Sequence, residues 1–279
     1  AEGEAGSSRE AFVPAILEML KIPFTGSDVG TMVNTLDKVR AKEILAYNNI
    51  NTPNFICIYD INELDKIDLL NKNKTYILKP CWEGSSKGIF DNSISSDKKQ
   101  IKNNVIALFE RFNQPVIIEE FLTGREFTAA LIGNGENLEV LPIVELDFSQ
   151  LPKNSNPIYS YEAKWVWDVP EKPLKIFQCP ANLDKKLKNK IEDIAKKTFL
   201  IMRCRDWCRI DVRLDSNNVP YILELNPLPG ILPNPDNNSC FPKAARAAGM
   251  NYEQLIDMVI NTAMLRCGII NHKLEIINY

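Results

Sequence analysis

The sequence predicts a mixed α/β (α+β) fold built from two or three subdomains. From Asn54 onward, short β-rich runs alternate with runs of apolar residues at helical spacing. Near the C-terminal end, Cys208–Leu214 and Val219–Leu225 flank the turn sequence Asp215–Asn218, a pattern typical of a β-hairpin. An amphipathic helix over Leu183–Phe199 precedes that hairpin. With 279 residues, 45% of them hydrophobic, the chain can bury a substantial core.

The first elements are helical. Apolar residues within Glu10–Leu20 recur at the spacing of one helix face. Ile22–Ser27 predicts a short strand and turn, and Asp28–Tyr47 predicts a second helix, with Pro53 closing the loop beyond it. We expect the chain to begin within a domain, so that residues 1–43 are the last βα portion of an N-terminal α/β unit.

The later elements are short and bounded by turn-forming residues. Strands are predicted at Phe55–Tyr59, Thr75–Leu78, Val116–Leu122, Glu126–Ile132 and Glu139–Leu146, the last two joined by a turn at Gly133–Glu136. Helices are predicted at Ile61–Leu70, Lys98–Phe112 and Tyr252–Leu265. Asn154–Pro173 and Leu228–Ser239 predict two long loops, the first of a kind that often serves a site.

Composition narrows the classes of function. A net charge of −3 gives no reason to expect nucleic acid or an anionic membrane as a partner. No apolar run approaches the ~20 residues that a membrane span needs. The seven cysteines are odd in number and scattered, which favours reduced thiols in a cytoplasmic protein. The single histidine, His272, argues against histidine-based catalysis, so any chemistry rests on metal ions, lysine, arginine and backbone amides.

The hairpin carries the strongest chemical signal. If it is symmetric, Asp211 pairs with Ile222 and Arg209 pairs with Glu224. Side chains alternate along a strand, so Arg209, Asp211 and Glu224 then share one face with Asn226, and the opposite face carries core residues, namely Ile210, Val212, Leu214, Leu223 and Leu225. Oxygen ligands of this kind suit Mg²⁺, and an arginine beside them would donate to a transferring phosphate. A solvated outer face of an ordinary hairpin fits the same spacing.

Other features each allow two explanations. Gly84–Gly88 follows a strand and exposes N–H groups and hydroxyls that suit a phosphate, or it is an ordinary surface loop. Lys79 at the end of a strand is either a ligand or a surface lysine. Glu119 and Glu120 interrupt an apolar strand, where unpaired buried carboxylates are costly. They either bind an amine or ribose hydroxyl or lie on a solvated edge strand.

Short motifs follow one another in a fixed order from about Pro14 to Leu265. They are Ile22–Ser27, Leu36–Lys38, Leu78–Pro80, Glu83–Ser86, Glu119–Leu122, Gly124–Thr128, Tyr161–Lys164, Arg209–Val212 and Glu224–Gly230. Together they resemble the ATP-grasp ligases of the D-alanine–D-alanine ligase family. The resemblance implies an ATP-grasp fold in which two α+β subdomains, residues 44–122 and 123–270, grip ATP, with a tail at residues 271–279.

The resemblance also implies roles for single residues. The ATP-binding set is Lys38, Lys79, Gly84, Ser85, Ser86, Glu119, Glu120, Phe121, Leu122, Glu126 and Lys164. In that set Glu119 would accept a hydrogen bond from the adenine amino group, and Glu126 would bind the ribose hydroxyls. Two Mg²⁺ ions, or Mn²⁺ in their place, would be held by Asp211, Glu224 and Asn226. The catalytic residues would be Arg209, Ser85 and Lys164, and the substrate residues would be Tyr161, Gly230 and Ser239.

The implied reaction is the ATP- and Mg²⁺-dependent joining of a carboxylate to an amine, in the cytoplasm, for cell wall peptidoglycan synthesis. The carboxylate takes the γ-phosphate to form an acyl phosphate, and the amine then displaces phosphate to form a peptide bond. Two alternatives stay open: a related ligase with a different amino acid or hydroxy acid pair, and a catalytically idle ATP-binding module. The resemblance further implies small-molecule amino acid partners and a homodimer.

The chain departs from the family pattern around the substrates. Trp165 stands where the family has a tyrosine whose hydroxyl joins the loop serine, here Ser85, and an N-terminal glutamate. A glycine- and acid-rich stretch of the family is replaced by Ala1–Glu10, which contains Glu2, Glu4, Arg9 and Glu10. Leu232–Asn238 resembles an insertion relative to the family pattern, on the side of the second substrate. We therefore expect weaker recognition of the D-alanine ammonium group than in an authentic D-alanine ligase.

Overall fold

The computed structural model of the protein describes residue 3, residues 6–169 and residues 172–270. Its helices are α1 (Phe12–Met19), α2 (Val29–Leu36), α3 (Lys38–Tyr47), α4 (Lys98–Phe112), α5 (Lys185–Ile201), α6 (Cys240–Ala247) and α7 (Tyr252–Arg266). Its strands are β1 (Phe55–Ile58), β2 (Tyr76–Pro80), β3 (Ile94–Ser95), β4 (Val116–Glu120), β5 (Glu126–Ile132), β6 (Glu139–Val140), β7 (Val144–Leu146), β8 (Phe177–Gln178), β9 (Trp207–Leu214) and β10 (Pro220–Asn226). These strands form two antiparallel sheets with helices packed on them, so the predicted α+β class is confirmed. The predicted tail at 271–279, together with Glu2, Glu4 and His272, lies outside the described residues.

The four-stranded sheet has the strand order β1-β4-β2-β3. Helix α4 and a 3₁₀ helix over Ile61–Leu69 pack against it, burying Ile67, Ile101 and Ile118 in one core. The predicted helix at Ile61–Leu70 is therefore a 3₁₀ helix. Strand β4 lies between β1 and β2, with Glu119 opposite Phe55 and Ile77. The edge-strand explanation for this glutamate is wrong.

The six-stranded sheet has the order β10-β9-β5-β7-β8, with β6 beside β5. In β5, Phe127, Ala129 and Leu131 join the core under α5, whereas Ala130 and Ile132 join the core under α6 and α7. Side chains alternate between the faces of a strand. Helices on both faces therefore explain why β5 is apolar at nearly every position.

Asp37 divides the predicted helix Asp28–Tyr47 into α2 and α3. Its backbone is extended, with ψ 102°, and its carboxylate accepts hydrogen bonds from the N–H groups of Val39 and Arg40 at 3.0 and 3.1 Å. These contacts make Asp37 the N-cap of α3. Lys38 consequently becomes the first residue of α3, and it lines the cavity described below.

Other elements differ from the predictions in smaller ways. Ile22–Ser27 forms no strand, and the predicted strand Glu139–Leu146 is divided into β6 and β7. The long loop predicted at Asn154–Pro173 contains a π-helix over Ala163–Trp167. Helix α6 was missed, although Pro242 lies within its first turn, where proline is tolerated. None of the helices in the described part of the chain is long and apolar enough to cross a membrane.

The turn of the β9–β10 hairpin is longer than predicted. Leu214 pairs with Pro220 rather than with Val219. The N–H of Asp215 donates to the carbonyl of Val219 at 3.0 Å, and the loop Ser216–Asn218 ends in a residue with φ +58°. A register shift of one residue would by itself turn the whole of β10 over, placing its polar side chains on the wrong face.

A β-bulge at Leu223 restores the predicted polar face. The register changes between Ile222 and Glu224, so Asp211 pairs with Glu224 instead of with Ile222. Ile222 is fully buried in the core of the six-stranded sheet. Leu223, which the symmetric hairpin places in the core, lines a cavity instead. The polar face was predicted correctly, and the register that produces it was wrong.

Candidate active site

One cavity of about 310 Å³ brings together residues from distant parts of the sequence. Every residue predicted to bind ATP, metal or substrate lines it, except Tyr161. The ring of Tyr161 instead lies 5.8 Å from the ring of Phe90, and its N–H donates to the carbonyl of Ile89 at 2.7 Å. The polar face of the hairpin is therefore one wall of the cavity, and the explanation of an ordinary solvated face is wrong.

Asp211 is held by two donors at the centre of this wall. Arg209 donates from Nε and Nη2 to the two carboxylate oxygens at 3.1 and 2.9 Å, and the hydroxyl of Thr128 donates to Oδ1 at 2.8 Å. Burial raises the pKa of Asp211, and these donors oppose that change. Thr128 was missed because its place opposite Asp211 follows only from the pairing of β5 with β9.

Glu224 is kept ionised by the cations around it. Nζ of Lys38 lies 3.9 Å from Oε2, and Nη2 of Arg209 lies 3.6 Å from Oε1. Burial alone would raise the pKa of this carboxyl, but Lys38, Arg209 and Lys79 hold the pKa of Glu224 at about 2. The side-chain amide of Asn226, which pairs with Arg209 across the hairpin, lies 3.4 Å from an oxygen of each carboxylate.

This donor set suits a hard divalent cation that arrives with other ligands. Asp211, Glu224 and Asn226 together offer carboxylate and amide oxygens. Within the residues that the structure describes, no group of three or more His, Cys, Asp or Glu side chains could hold a metal ion unaided. Mg²⁺ commonly binds one or two carboxylates together with substrate phosphates. The three predicted ligands fit an ion of that kind.

Glu119 lies in the opposite wall between two buried lysines. Nζ of Lys79 is 2.9 Å from Oε2, and Nζ of Lys42 is 3.5 Å from Oε1. Burial raises the pKa of a carboxyl, but Lys42 and Lys79 outweigh it and lower the pKa of Glu119. Oε1 is buried and accepts no hydrogen bond from any described residue, so this wall of the cavity holds one acceptor without a donor. Lys79 is thus a buried residue of the cavity, not a surface lysine, and Lys42 was missed.

Arg213 connects two of the predicted nucleotide contacts. Its Nη1 donates to Oε2 of Glu126 at 2.8 Å, and its guanidinium carbon lies 4.6 Å from the ring centroid of Phe121. Burial raises the pKa of Glu126, and the charge of Arg213 opposes that change. The sequence did contain a signal for Arg213, because it stands two residues beyond Asp211 and four beyond Arg209 on the same face of β9.

Lys164 and Arg209 both line the cavity and lie near enough for their charges to interact. Burial, and then the charge of Arg209, lower the pKa of Lys164. The pKa of Arg209 is raised, because the nearby carboxylates of Asp211 and Glu224 outweigh the effect of burial. Adjacent cations repel one another unless an anion lies between them. The arrangement therefore favours a bound phosphate or carboxylate.

The Gly84–Ser86 loop contacts the long loop predicted at Asn154–Pro173. Ser85 and Ser86 have φ values of +55° and +60°. The hydroxyl of Ser86 donates to the carbonyl of Tyr159 at 2.8 Å, and Nε1 of Trp165 donates to the carbonyl of Ser85 at 3.0 Å. Trp165 lacks the expected phenol, but it holds the same serine by its backbone.

The first turn of α6 opens toward the cavity. Ser239 is the N-cap residue of this helix, and its hydroxyl donates to the carbonyl of Gly230 at 2.9 Å. The same oxygen accepts from the N–H of Leu232 at 3.2 Å. The N-terminus of a helix carries unpaired N–H groups and a partial positive charge, which suit a carboxylate. Gly230 and Ser239, which were both predicted to bind substrate, are thus in direct contact at the start of α6.

Asp168 ties the Leu228–Ser239 loop to the Asn154–Pro173 loop. The side-chain amide of Asn238 donates to both oxygens of Asp168 at 2.8 and 2.9 Å. The hydroxyl of Tyr159 donates at 2.5 Å, and the N–H of Leu174 donates at 2.8 Å. Asn238 and Tyr159 both line the cavity. We call this group the Asp168 clamp, and no local pattern in the sequence predicted it.

Two antiparallel sheets that enclose a cavity with a glycine–serine loop, clustered cations and oxygen ligands define an ATP-grasp enzyme. The family model for the D-ala D-ala ligase C-terminus matches residues 47–261. The chain therefore belongs to the D-alanine–D-alanine ligase family, and it is an ATP-dependent ligase that joins an acid to an amine.

Individual relatives are similar over most of the chain. An uncharacterized protein of Sinorhizobium fredii is 34% identical over 95% of the chain and 74% of its own length. The D-alanine–D-alanine ligase of Bordetella avium is 34% identical over 94% of the chain and 74% of its own length. A crystal structure of D-alanine–D-alanine ligase from Bacillus anthracis complexed with ATP matches with a TM-score of 0.69 and 25% identity, covering 92% of this chain and 75% of that one. The comparisons do not favour the idle module or another substrate pair over the main prediction.

Proposed function

We propose that the chain uses ATP and Mg²⁺ to join two amino acids through an acyl phosphate, with D-alanine as the first choice for both. The observation that supports this proposal is the gathering of an anion-binding loop, several cations and three oxygen ligands in one cavity. The choice of D-alanine follows the name of the Bordetella avium relative. The product would be the dipeptide used in peptidoglycan synthesis.

ATP would lie between the two sheets. Glu119 would accept from the adenine amino group, since its Oε1 has no hydrogen bond from a described residue. Glu126, held by Arg213, would bind the ribose, and Phe121 would lie against the base. The relative from Bacillus anthracis was crystallised with ATP.

The phosphates would contact the cations and the glycine–serine loop. Lys38 and Lys79 line the cavity between Glu119 and Glu224, while the Gly84–Ser86 loop lies beside them. Asp211, Glu224 and Asn226 would hold two Mg²⁺ ions, or Mn²⁺ in their place. Bound there, the ions would neutralise the negative charge of the phosphates.

The reaction would need no nucleophile from the protein. An oxygen of the first carboxylate attacks the γ-phosphorus, an O–P bond forms, and ADP leaves. The free amine of the second amino acid attacks the acyl carbon, phosphate leaves, and the nitrogen loses a proton. Arg209 and Lys164 would stabilise the charge that develops on the transferred group and on the tetrahedral intermediate. Ser85, on the Gly84–Ser86 loop, would contact the phosphates.

The second amino acid would bind at the start of α6. Its carboxylate would contact Ser239, the N-terminal N–H groups of α6 and the backbone near Gly230. The first amino acid would lie under Trp165, where the missing phenol predicts weaker recognition of an ammonium group. Tyr161 would act through its backbone contact with Ile89, which holds the long loop against the loop that binds phosphate.

Release of ADP by the purified protein would test the proposal. The assay would use ATP, Mg²⁺ and a panel of D- and L-amino acids and hydroxy acids, singly and in pairs. We expect release that depends on an amino acid and is lost in Glu224→Gln. If no acid in the panel stimulates release by a folded protein that binds ATP, the proposal of a ligase for amino acids is wrong.

Three further expectations belong to this proposal. We propose subdomain boundaries at residues 44–122 and 123–270, which limited proteolysis in the presence of ATP would test. We propose a cytoplasmic location, which suits an enzyme that uses ATP and whose seven cysteines are all unpaired. We also propose a homodimer, which sedimentation velocity would test.

A further inference from the structure

Lys42 is a buried lysine behind the nucleotide wall of the cavity. It lies on α3, is 1% exposed, and does not line the cavity. Its Nζ lies 3.5 Å from Oε1 of Glu119 and donates to the hydroxyl of Thr52 at 2.8 Å. Lys42 therefore touches the oxygen that we assign to the adenine amino group, but it lies where a bound nucleotide does not reach it.

Thr52 extends this contact to the other sheet. Its hydroxyl donates to the carbonyl of Ile222 at 3.0 Å, and the N–H of Ile222 donates to the carbonyl of Asn51 at 2.8 Å. Asn51 and Thr52 thus pair with the open edge of β10 at the residue just before the bulge. The bulge sets the face on which Glu224 lies. A chain of contacts therefore runs from Glu119 through Lys42 and Thr52 to Ile222, two residues before Glu224.

A lysine at this position costs stability. Burial lowers the pKa of Lys42 to about 8, although Glu119 opposes the change. An apolar side chain of similar length, such as methionine, would fill the same space without that cost. Groups that cost stability and are nonetheless present are expected at functional sites.

We propose that Lys42 is a positioning residue that holds the carboxylate of Glu119 toward the amino group of adenine and, through Thr52, couples nucleotide recognition to the bulge that presents Glu224. The inference rests on the proposed function, because it takes Glu119 to be the adenine contact. Among the residues that the structure describes, Lys79 is the one that donates to Oε2 of Glu119. Without Lys42, Oε1 would lose its only cation within salt-bridge distance among the described residues.

The preference for ATP over GTP would test the inference, since guanine presents a carbonyl oxygen where adenine presents an amino group. The variants are Lys42→Met, Thr52→Val and the reference Glu119→Gln. Arg40→Met is the matched control, because Arg40 is an exposed cation on the same helix. We expect Lys42→Met to lower the ATP-over-GTP ratio of kcat/KM about tenfold, mainly through the KM for ATP, as one lost charge-assisted contact would.

Thr52→Val separates the two halves of the inference. It leaves the ion pair of Lys42 and Glu119 in place but removes the hydroxyl that accepts from Lys42 and donates to the carbonyl of Ile222. We expect it to keep most of the nucleotide preference while raising the Mg²⁺ concentration needed for half-maximal turnover about threefold or more, as the loss of one neutral hydrogen bond would. Arg40→Met should change neither quantity.

The outcomes are distinguishable. If Glu119→Gln lowers the nucleotide preference while folded Lys42→Met does not, the inference is overturned and the proposed function stands. If Glu119→Gln also leaves the preference unchanged, the adenine contact itself is wrong. An unchanged Mg²⁺ requirement in Thr52→Val would overturn the coupling. Lys42→Gln, which keeps a donor, serves the same comparison if Lys42→Met does not fold.

Discussion

Removing the Asp168 clamp should weaken binding of the second substrate with little effect on ATP. In Asp168→Ala, the amide of Asn238, the hydroxyl of Tyr159 and the N–H of Leu174 would all lose the carboxylate that accepts from them at 2.5–2.9 Å. Two of these donors belong to Asn238 and Tyr159, which line the same cavity as Ser239. The loop that carries Ser239 would then no longer be held to the long loop.

The size of the effect follows from the bonds that are lost. A hydrogen bond to a charged group contributes about 1.5–3 kcal/mol, and the lower value applies where water can reach the group. If the contact of Asn238 with both oxygens is counted as one bond and that of Tyr159 as a second, the loss corresponds to roughly 3 kcal/mol of loop positioning. Because 1.4 kcal/mol is about a factor of ten, kcat/KM for the amine substrate should fall about 100-fold.

Steady-state kinetics with the amine varied at saturating ATP would measure this loss. Asp236→Ala is the control, because Asp236 lies exposed on the same loop. The KM for ATP should stay within about twofold in both variants. Folded Asp168→Ala with an unchanged kcat/KM for the amine would refute the argument that the clamp positions the second-substrate site.

Further predictions address the metal, the pH dependence and the stability. Glu224→Gln should abolish Mg²⁺-dependent ADP release without lowering the thermal midpoint, and unchanged turnover would contradict its assignment as a metal ligand. Because the pKa of Lys42 is 10.5 as a free side chain and about 8 in the fold, the unfolded chain binds more protons between these pH values. The contribution of Lys42 to the free energy of unfolding should therefore rise from pH 8 to pH 10.5. Urea titrations at several pH values should show a smaller rise in Lys42→Met than in the wild type. Equal rises in the two proteins would contradict the lowered pKa of Lys42. Asp206→Ala should lower the free energy of unfolding by about 3–5 kcal/mol, because Asp206 is fully buried and bonds Arg266, Asn134 and the N–H of Gly26. A urea midpoint close to that of the wild type would refute this estimate.

Local patterns in the sequence determined the class of fold and the polar face of the hairpin, and the family resemblance supplied most of the other residues that line the cavity. The predicted bounds of α4 and β5, Lys98–Phe112 and Glu126–Ile132, agree with the structure. Alternation along β9 placed Arg209 and Asp211 on one face and their apolar neighbours on the other. Such patterns are readable because a helix or strand repeats its side-chain directions every few residues. The ordered motifs then identified the ATP-grasp family.

The register of the hairpin was decided by tertiary structure. The symmetric pairing of Asp211 with Ile222 was wrong, and the polar face survives only because a longer turn and a bulge at Leu223 compensate each other. A bulge depends on what packs on each side of the strand, here the core around Ile222 and the contacts of Asn51 and Thr52 at its edge. The sequence of β10 carries no local mark of either.

The groups that position the site were also decided by tertiary structure. Lys42 precedes Glu119 by more than seventy residues, and Asn238 follows Asp168 by a similar separation, so no spacing rule connects them. In the sequence, Lys42 is one lysine among many and Asp168 one acid in a long loop. They differ from other charged residues only through burial and partners, which exist once the two sheets and their loops have packed together.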